Sequence, residues 1–158
     1  MGSDSDFPVM KKALEVLKQF GVEYEVLLAS AHRTPQAVRE FTETAVARGF
    51  TCIIAGAGMA AHLPGVVASY TTLPVIGVPL ESGPMKGMDA LLSIVQMPSG
   101  MPVATVAING AKNAALLAIQ IGAASNHKLA QQYSSYRHNM AVEVERKNQK
   151  IQEAVQAI

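Results

Sequence analysis

A chain of 158 residues is long enough for one domain with a proper core. Thirteen Lys and Arg face twelve Asp and Glu, a net charge of +1, which leaves no electrostatic footprint for nucleic acid or an anionic membrane. With aromatics at 5% and no Trp, the core must be built from Ala, Val, Ile, Leu and Met.

The elements alternate along the chain. Pro8 to Phe20 carries Val9, Ala13, Val16, Leu17 and Phe20 at helical spacing, with Gly21 as its stop. A short strand is expected over Glu23–Ala29, a helix over Pro35–Arg48 ended by Gly49, and an apolar strand over Phe50–Ala55. Then come a short helix (Pro64–Tyr70), a strand (Pro74–Val78) and a helix (Asp89–Gln96) that Asp89 should cap. A strand over Pro102–Ile108 and an Ala-rich helix over Asn113–Ile121 follow. Strands separated by helices imply βαβ units and a parallel sheet. The runs CIIAG and VIGV are apolar throughout, as expected when helices cover both sheet faces.

No domain boundary or repeat interrupts the chain, so residues 1–158 are expected to form a single domain. From about Asn126 to Ile158 the sequence is a polar helical tail. Leu129, Tyr133, Tyr136, Met140, Val144 and Ile151 form a broken stripe on it, suited to the domain or to another subunit. Met1-Gly2-Ser3 has the look of a loop that follows a strand, so the sheet is expected to want one more strand ahead of it.

Cys52 is the single cysteine and excludes an intrachain disulfide. Its apolar run suits a buried small hydrophobe better than a catalytic thiol. No signal peptide and no apolar run of about 18 residues is visible, so a cytoplasmic protein is expected.

Ligands of open α/β sheets bind beyond the carboxyl ends of the strands. Gly2-Ser3-Asp4-Ser5-Asp6 precedes a helix with Pro8 in its first turn, and Ser5 or Asp6 can cap it. Backbone N–H groups, a positive helix end and hydroxyls suit an anion there, and the same residues also suit a plain capped turn. Ser30-Ala31-His32-Arg33-Thr34-Pro35 offers more. Arg33 is a fork of donors suited to phosphate, His32 is of the type that moves protons near neutrality, and Thr34 is placed to cap the next helix. A capping His beside a solvated Arg is the alternative.

The third loop, Gly56-Ala57-Gly58-Met59-Ala60-Ala61-His62-Leu63-Pro64-Gly65, contains a G-x-G-x-x-A pattern. A dinucleotide fingerprint needs its helix to begin inside the glycine run, whereas Pro64 disfavours a helical Leu63 and starts the helix late. A long loop lined by backbone amides and His62 suits a flat polar ligand better than a pyrophosphate. His32, His62, His127 and His138 lack metal-ligand spacing, so no metal site is expected. No Walker lysine motif is present.

These residues reach an anion site with a histidine, but no substrate. GSDSD, SAHRTP, GAGMAAHLPG, LPVIGVP, DALLSIVQMPSGMPVATVAI and NAALLA, in that order over residues 2 to about 121, resemble the family of class I N5-carboxyaminoimidazole ribonucleotide mutases, the PurE family of purine biosynthesis. The resemblance implies a flavodoxin-like α/β domain with a long C-terminal helix, assembled as a homo-octamer. It implies an isomerase that shifts a carboxylate from the exocyclic nitrogen of an aminoimidazole ribonucleotide to the ring carbon, without ATP, biotin, metal or other cofactor. By motif position, His32 matches the family's catalytic histidine. Ser3 and Asp6 match residues that hold the ribose 5-phosphate and ribose, with Ser30 in the same set, and Arg33 matches the phosphate clamp. Gly58, Ala61, His62 and Leu63 match the loop around the imidazole and its carboxylate. The chain departs from the family at Met59, where Gly is usual, and at Gln36, where Asp is usual.

Two rival readings remain. One is the class II carboxylase, which takes dissolved carbon dioxide directly; SAHRTP and AAHLPG favour the mutase over it. The other is a non-catalytic nucleotide- or flavin-binding module on the same fold.

Overall fold

The computed structural model describes all residues, Met1–Ile158. A turn of 3-10 helix over Asp4–Asp6 leads into helix α1, Phe7–Gln19, followed by α2, Pro35–Thr44. Strand β1 is Ile53–Gly58, α3 is Leu63–Ser69, β2 is Val75–Leu80 and α4 is Met88–Val95. Strand β3, Ala104–Thr105, precedes α5, Ala111–Ala123, and α6, His127–Gln156.

The three strands form an open sheet in the order β1-β2-β3, all parallel. Ile53 pairs with Val75 at the start of β1 and Gly58 with Leu80 at its end. Side chains alternate across β2. Ile76, Val78 and Leu80 face Met10, Ala13, Val16 and Leu17 of α1 and the alanines of α5. Val75 belongs to the opposite layer, with Ala55 and Ala57 of β1, Val38 of α2, Leu63 and Val67 of α3, and Ile94 of α4. Helices thus cover both faces, which is why β2 is buried along its whole length and its sequence is apolar without alternation. This is a three-layer, flavodoxin-like α/β arrangement.

The structure corrects several expectations. Glu23–Ala29 forms no strand ladder. It is held at one end by Met1, whose amine donates to the Leu27 carbonyl (3.0 Å) and whose carbonyl accepts from Ala29 N–H (2.9 Å). An apolar groove of about 330 Å³, lined in part by Val22, Val26, Leu27, Cys52 and Ile54, separates this segment from β1, so the two cannot pair. The strand expected over Pro102–Ile108 shrinks to two residues, extended by one bond from Val106 N–H to the Gly77 carbonyl. β1 begins later than expected and runs on through Gly56-Ala57-Gly58, where the sequence predicts a loop. α3 starts at Leu63 in spite of Pro64, because a proline at the second helical position lacks only an N–H that would have no partner there.

The tail splits into two parts. Asn126 caps α6 by accepting from Leu129 N–H at 3.1 Å. Leu129, Tyr133 and Tyr136 pack on the α1 side of the core, with the Phe20 ring 5.4 Å from Tyr136 and 6.5 Å from Tyr133. Further along, Met140, Val144, Ile151 and Val155 are exposed, and no residue of α6 is fully buried. No helix is long and apolar enough to cross a membrane.

Candidate active site

The turn after Met1 is a capping box. The Ser3 hydroxyl accepts from Ser5 N–H, while the Asp6 carboxylate accepts from Ser3 N–H (2.9 Å) and Gly2 N–H (3.1 Å). Asp6 is buried, and this desolvation pushes its carboxyl above the usual value, opposed by the two N–H donors and the nearby N-terminal amine. The consequence for anion binding is a correction. The Gly2 and Ser3 amides expected to be open are taken by Asp6, and Asp6 makes no side-chain bond to α1. Hydroxyls remain: Ser5 Oγ lies 2.8 Å from Ser3 Oγ and donates to it.

The second loop is a Ser–Thr knot. Ser30 Oγ accepts from His32 N–H (3.3 Å) and Arg33 N–H (3.2 Å), and Thr34 Oγ1 accepts from Ser30 N–H (2.9 Å). Thr34 therefore ties the loop to itself and does not cap α2 with its side chain. The knot leaves His32 and Arg33 exposed on its outer side. Arg33 Nη2 donates to the Gly2 carbonyl at 3.0 Å, joining this loop to the first.

The third segment begins at the tip of β1, against which the Asp4–Asp6 turn packs. His62 precedes α3, and its ring lies over Gly65, where a Cβ would come within 1.8 Å of Nε2. His62 Nδ1 is buried and has no hydrogen-bond partner. Met59 N–H donates to Ser82 Oγ at 2.8 Å, and Glu81 N–H donates to Asn109 Oδ1 at 3.0 Å. Asp89 does not cap α4; Gly87 holds that position with φ 86°, and Asp89 Oδ1 accepts from its neighbour Ala90.

One edge of the sheet thus carries the loops in a continuous series: 30–34, 2–6, 58–62, 81–87 and 109–110. Ser3 and Asp6 lie on the first loop and Ser30, His32 and Arg33 on the one joined to it through Arg33; the Asp4–Asp6 turn packs on β1, which ends at Gly58, and Ala61, His62 and Leu63 follow. Ser82 and Asn109 were not singled out from sequence, where a serine and an asparagine in turn segments carry no chemistry of their own. No three His, Cys, Asp or Glu side chains are grouped to hold a metal. Cys52 is half-buried, and desolvation raises its thiol pKa, so it favours the less reactive protonated form.

The fold and edge define a flavodoxin-like α/β protein whose loop with exposed His32 and Arg33 is joined through Arg33 to a serine-rich turn. The family profile described as AIR carboxylase matches residues 1–143, and the chain belongs to this family. It is 55% identical to an N5-carboxyaminoimidazole ribonucleotide mutase of Pyrococcus horikoshii, over 97% of this chain and 86% of that protein. It is 54% identical to the Thermotoga maritima mutase of the same description, over 97% and 90%. Among solved structures, Treponema denticola PurE superposes with a TM-score of 0.84 at 31% identity, covering 95% of this chain and 94% of that one.

Proposed function

We infer that this chain is an isomerase of purine biosynthesis that converts N5-carboxyaminoimidazole ribonucleotide to 4-carboxy-5-aminoimidazole ribonucleotide. The observation that carries the reading is the Arg33–Gly2 bond, which ties the loop bearing His32 and Arg33 to the serine-rich turn packed on β1. The mutases of two organisms at about 55% identity support it over nearly the full chain.

Arg33, with the hydroxyls of Ser3 and Ser30, binds the phosphate and fixes the substrate along the edge. Asp6 shapes the first turn and faces the ribose. The imidazole lies against Gly58, Ala61, His62 and Leu63. The carboxylate leaves the exocyclic nitrogen as carbon dioxide while His32 delivers a proton to that nitrogen. The ring carbon then attacks the retained carbon dioxide, and His32 takes back the ring-carbon proton. Protons and carbon balance without ATP, biotin or metal.

Carbon dioxide must be held in a closed, dry pocket for the second step. His32 is exposed in a single chain, and apolar side chains of α4 and α6 (Met88, Leu92, Met140, Val144, Ile151) are exposed as well. We propose that these faces are buried between copies in the homo-octamer that the family resemblance implies, in the cytoplasm, each subunit one domain over residues 1–158.

Assay with the carboxyamino nucleotide, set against aminoimidazole ribonucleotide plus bicarbonate, tests the reading. Turnover of the first is expected; turnover with the second pair alone would overturn it in favour of direct carboxylation.

A further inference from the structure

Met59 is held in an unfavourable conformation. Its φ is +53°, a left-handed state that residues with a Cβ rarely adopt. Packing does not impose it, since the side chain is 59% exposed. Two hydroxyls hold the segment instead. Ser82 Oγ accepts from Met59 N–H at 2.8 Å, and at the other end Ser93 Oγ of α4 donates to the Ala60 carbonyl at 3.2 Å.

Ser82 is seated closely. A Cβ on Gly58 would fall 2.4 Å from Ser82 Oγ and 3.1 Å from Ser82 Cβ, so the serine lies against bare backbone. Its own loop is anchored one strand further along. Asn109 Oδ1 accepts from Glu81 N–H at 3.0 Å, Asn109 Nδ2 donates to Glu81 Oε2 at 3.2 Å, and Asn109 N–H donates to the Pro79 carbonyl at 2.8 Å. A lateral chain of bonds therefore runs from Asn109 through Glu81 and Ser82 to Met59, across the tips of two strands.

We propose that Ser82 is a positioning residue for carboxylate transfer: anchored through Asn109, it fixes the backbone of Gly58 to His62 that walls the imidazole and the released carbon dioxide. The inference rests on the mutase reading above. Ser82 does not touch the phosphate end, so its loss disturbs the reacting end of the substrate alone.

Ser82→Ala is expected to lower kcat about fivefold to tenfold, the effect of one hydrogen bond, while KM for the carboxyamino nucleotide stays within about twofold. The Met59→Gly/Ser82→Ala double variant is expected to regain at least about threefold in kcat over Ser82→Ala, because glycine adopts positive φ without the serine's help. An unchanged kcat in Ser82→Ala, or a fall that the double variant does not relieve, overturns the inference and leaves the mutase reading standing. Absence of turnover in the unaltered protein overturns both.

Discussion

The Arg33 guanidinium donates to the Gly2 carbonyl at 3.0 Å, across 31 positions of sequence. This bond uses one of the five guanidinium N–H groups and leaves the rest for a ligand. The side chain is thereby pre-oriented, and the entropy of placing it is largely lost before substrate arrives.

Arg33→Ala should accordingly act on binding. KM is expected to rise about tenfold to a hundredfold, the range for a charge-assisted hydrogen bond, with kcat changed far less. Arg33→Lys should recover part of this, since a lysine supplies charge without the fork. Steady-state kinetics on the carboxyamino nucleotide decide it, and an unaltered KM would remove Arg33 from the phosphate site.

His32 is expected to show the opposite pattern. Its backbone is set by Ser30 and its ring is free, so replacing the ring need not disturb the loop. His32→Asn should lower kcat by about a hundredfold to ten-thousandfold, the range of lost general acid–base catalysis. Ribonucleotide affinity, measured by calorimetry, should be retained. Normal turnover in this variant would exclude the proton-transfer role and favour a binding module.

The two loops were readable in sequence to different degrees. His32 and Arg33 stand out because a proton-transfer group and a guanidinium fork sit side by side after a segment of strand composition, and apolar β1 and β2 are evident because burial on both faces suppresses alternation. Ser3 and Asp6 have capping-box spacing, yet only the fold reveals that Asp6 consumes the amides of Gly2 and Ser3. Glu23–Ala29 has strand composition, but a ladder needs a neighbour at bonding distance, and a groove stands where it would be. Leu63 enters its helix against the pre-proline tendency because tertiary packing buries it on Ala57 and Val67. The Asn109–Glu81–Ser82–Met59 chain joins residues far apart in sequence by turn groups without any pattern, so no periodicity could disclose it.

Asp6 gives a pH prediction. Its carboxyl titrates above the ordinary 3.8 because burial disfavours the charged form. The folded state therefore keeps a proton that the unfolded chain releases. This contribution to stability is fully present below pH 3.8 and is lost as pH rises through the raised folded value. Asp6→Asn lacks the titration. The stability of the native protein relative to Asp6→Asn, from urea midpoints, should fall as pH rises through that window. A difference that stays constant from acid to neutral pH would disprove the shift.

Gly65 and His62 provide the sharpest steric test. The imidazole occupies the space where a side chain on Gly65 would begin, with Nε2 only 1.8 Å from the position of the added Cβ. Gly65 lies in the first turn of α3, where an alanine would otherwise favour the helix by up to about 1 kcal/mol. Overpacking against the half-buried ring costs about 1–3 kcal/mol and outweighs that gain. Gly65→Ala should therefore lower the thermal midpoint, and it should expel the His62 ring from its place over Gly65. If the imidazole forms the wall of the base pocket, kcat in the surviving folded protein falls as well. Gly65→Ala/His62→Ala removes the clash and should restore the midpoint toward that of His62→Ala alone. A Gly65→Ala protein as stable as the parent would mean that the ring does not occupy this position.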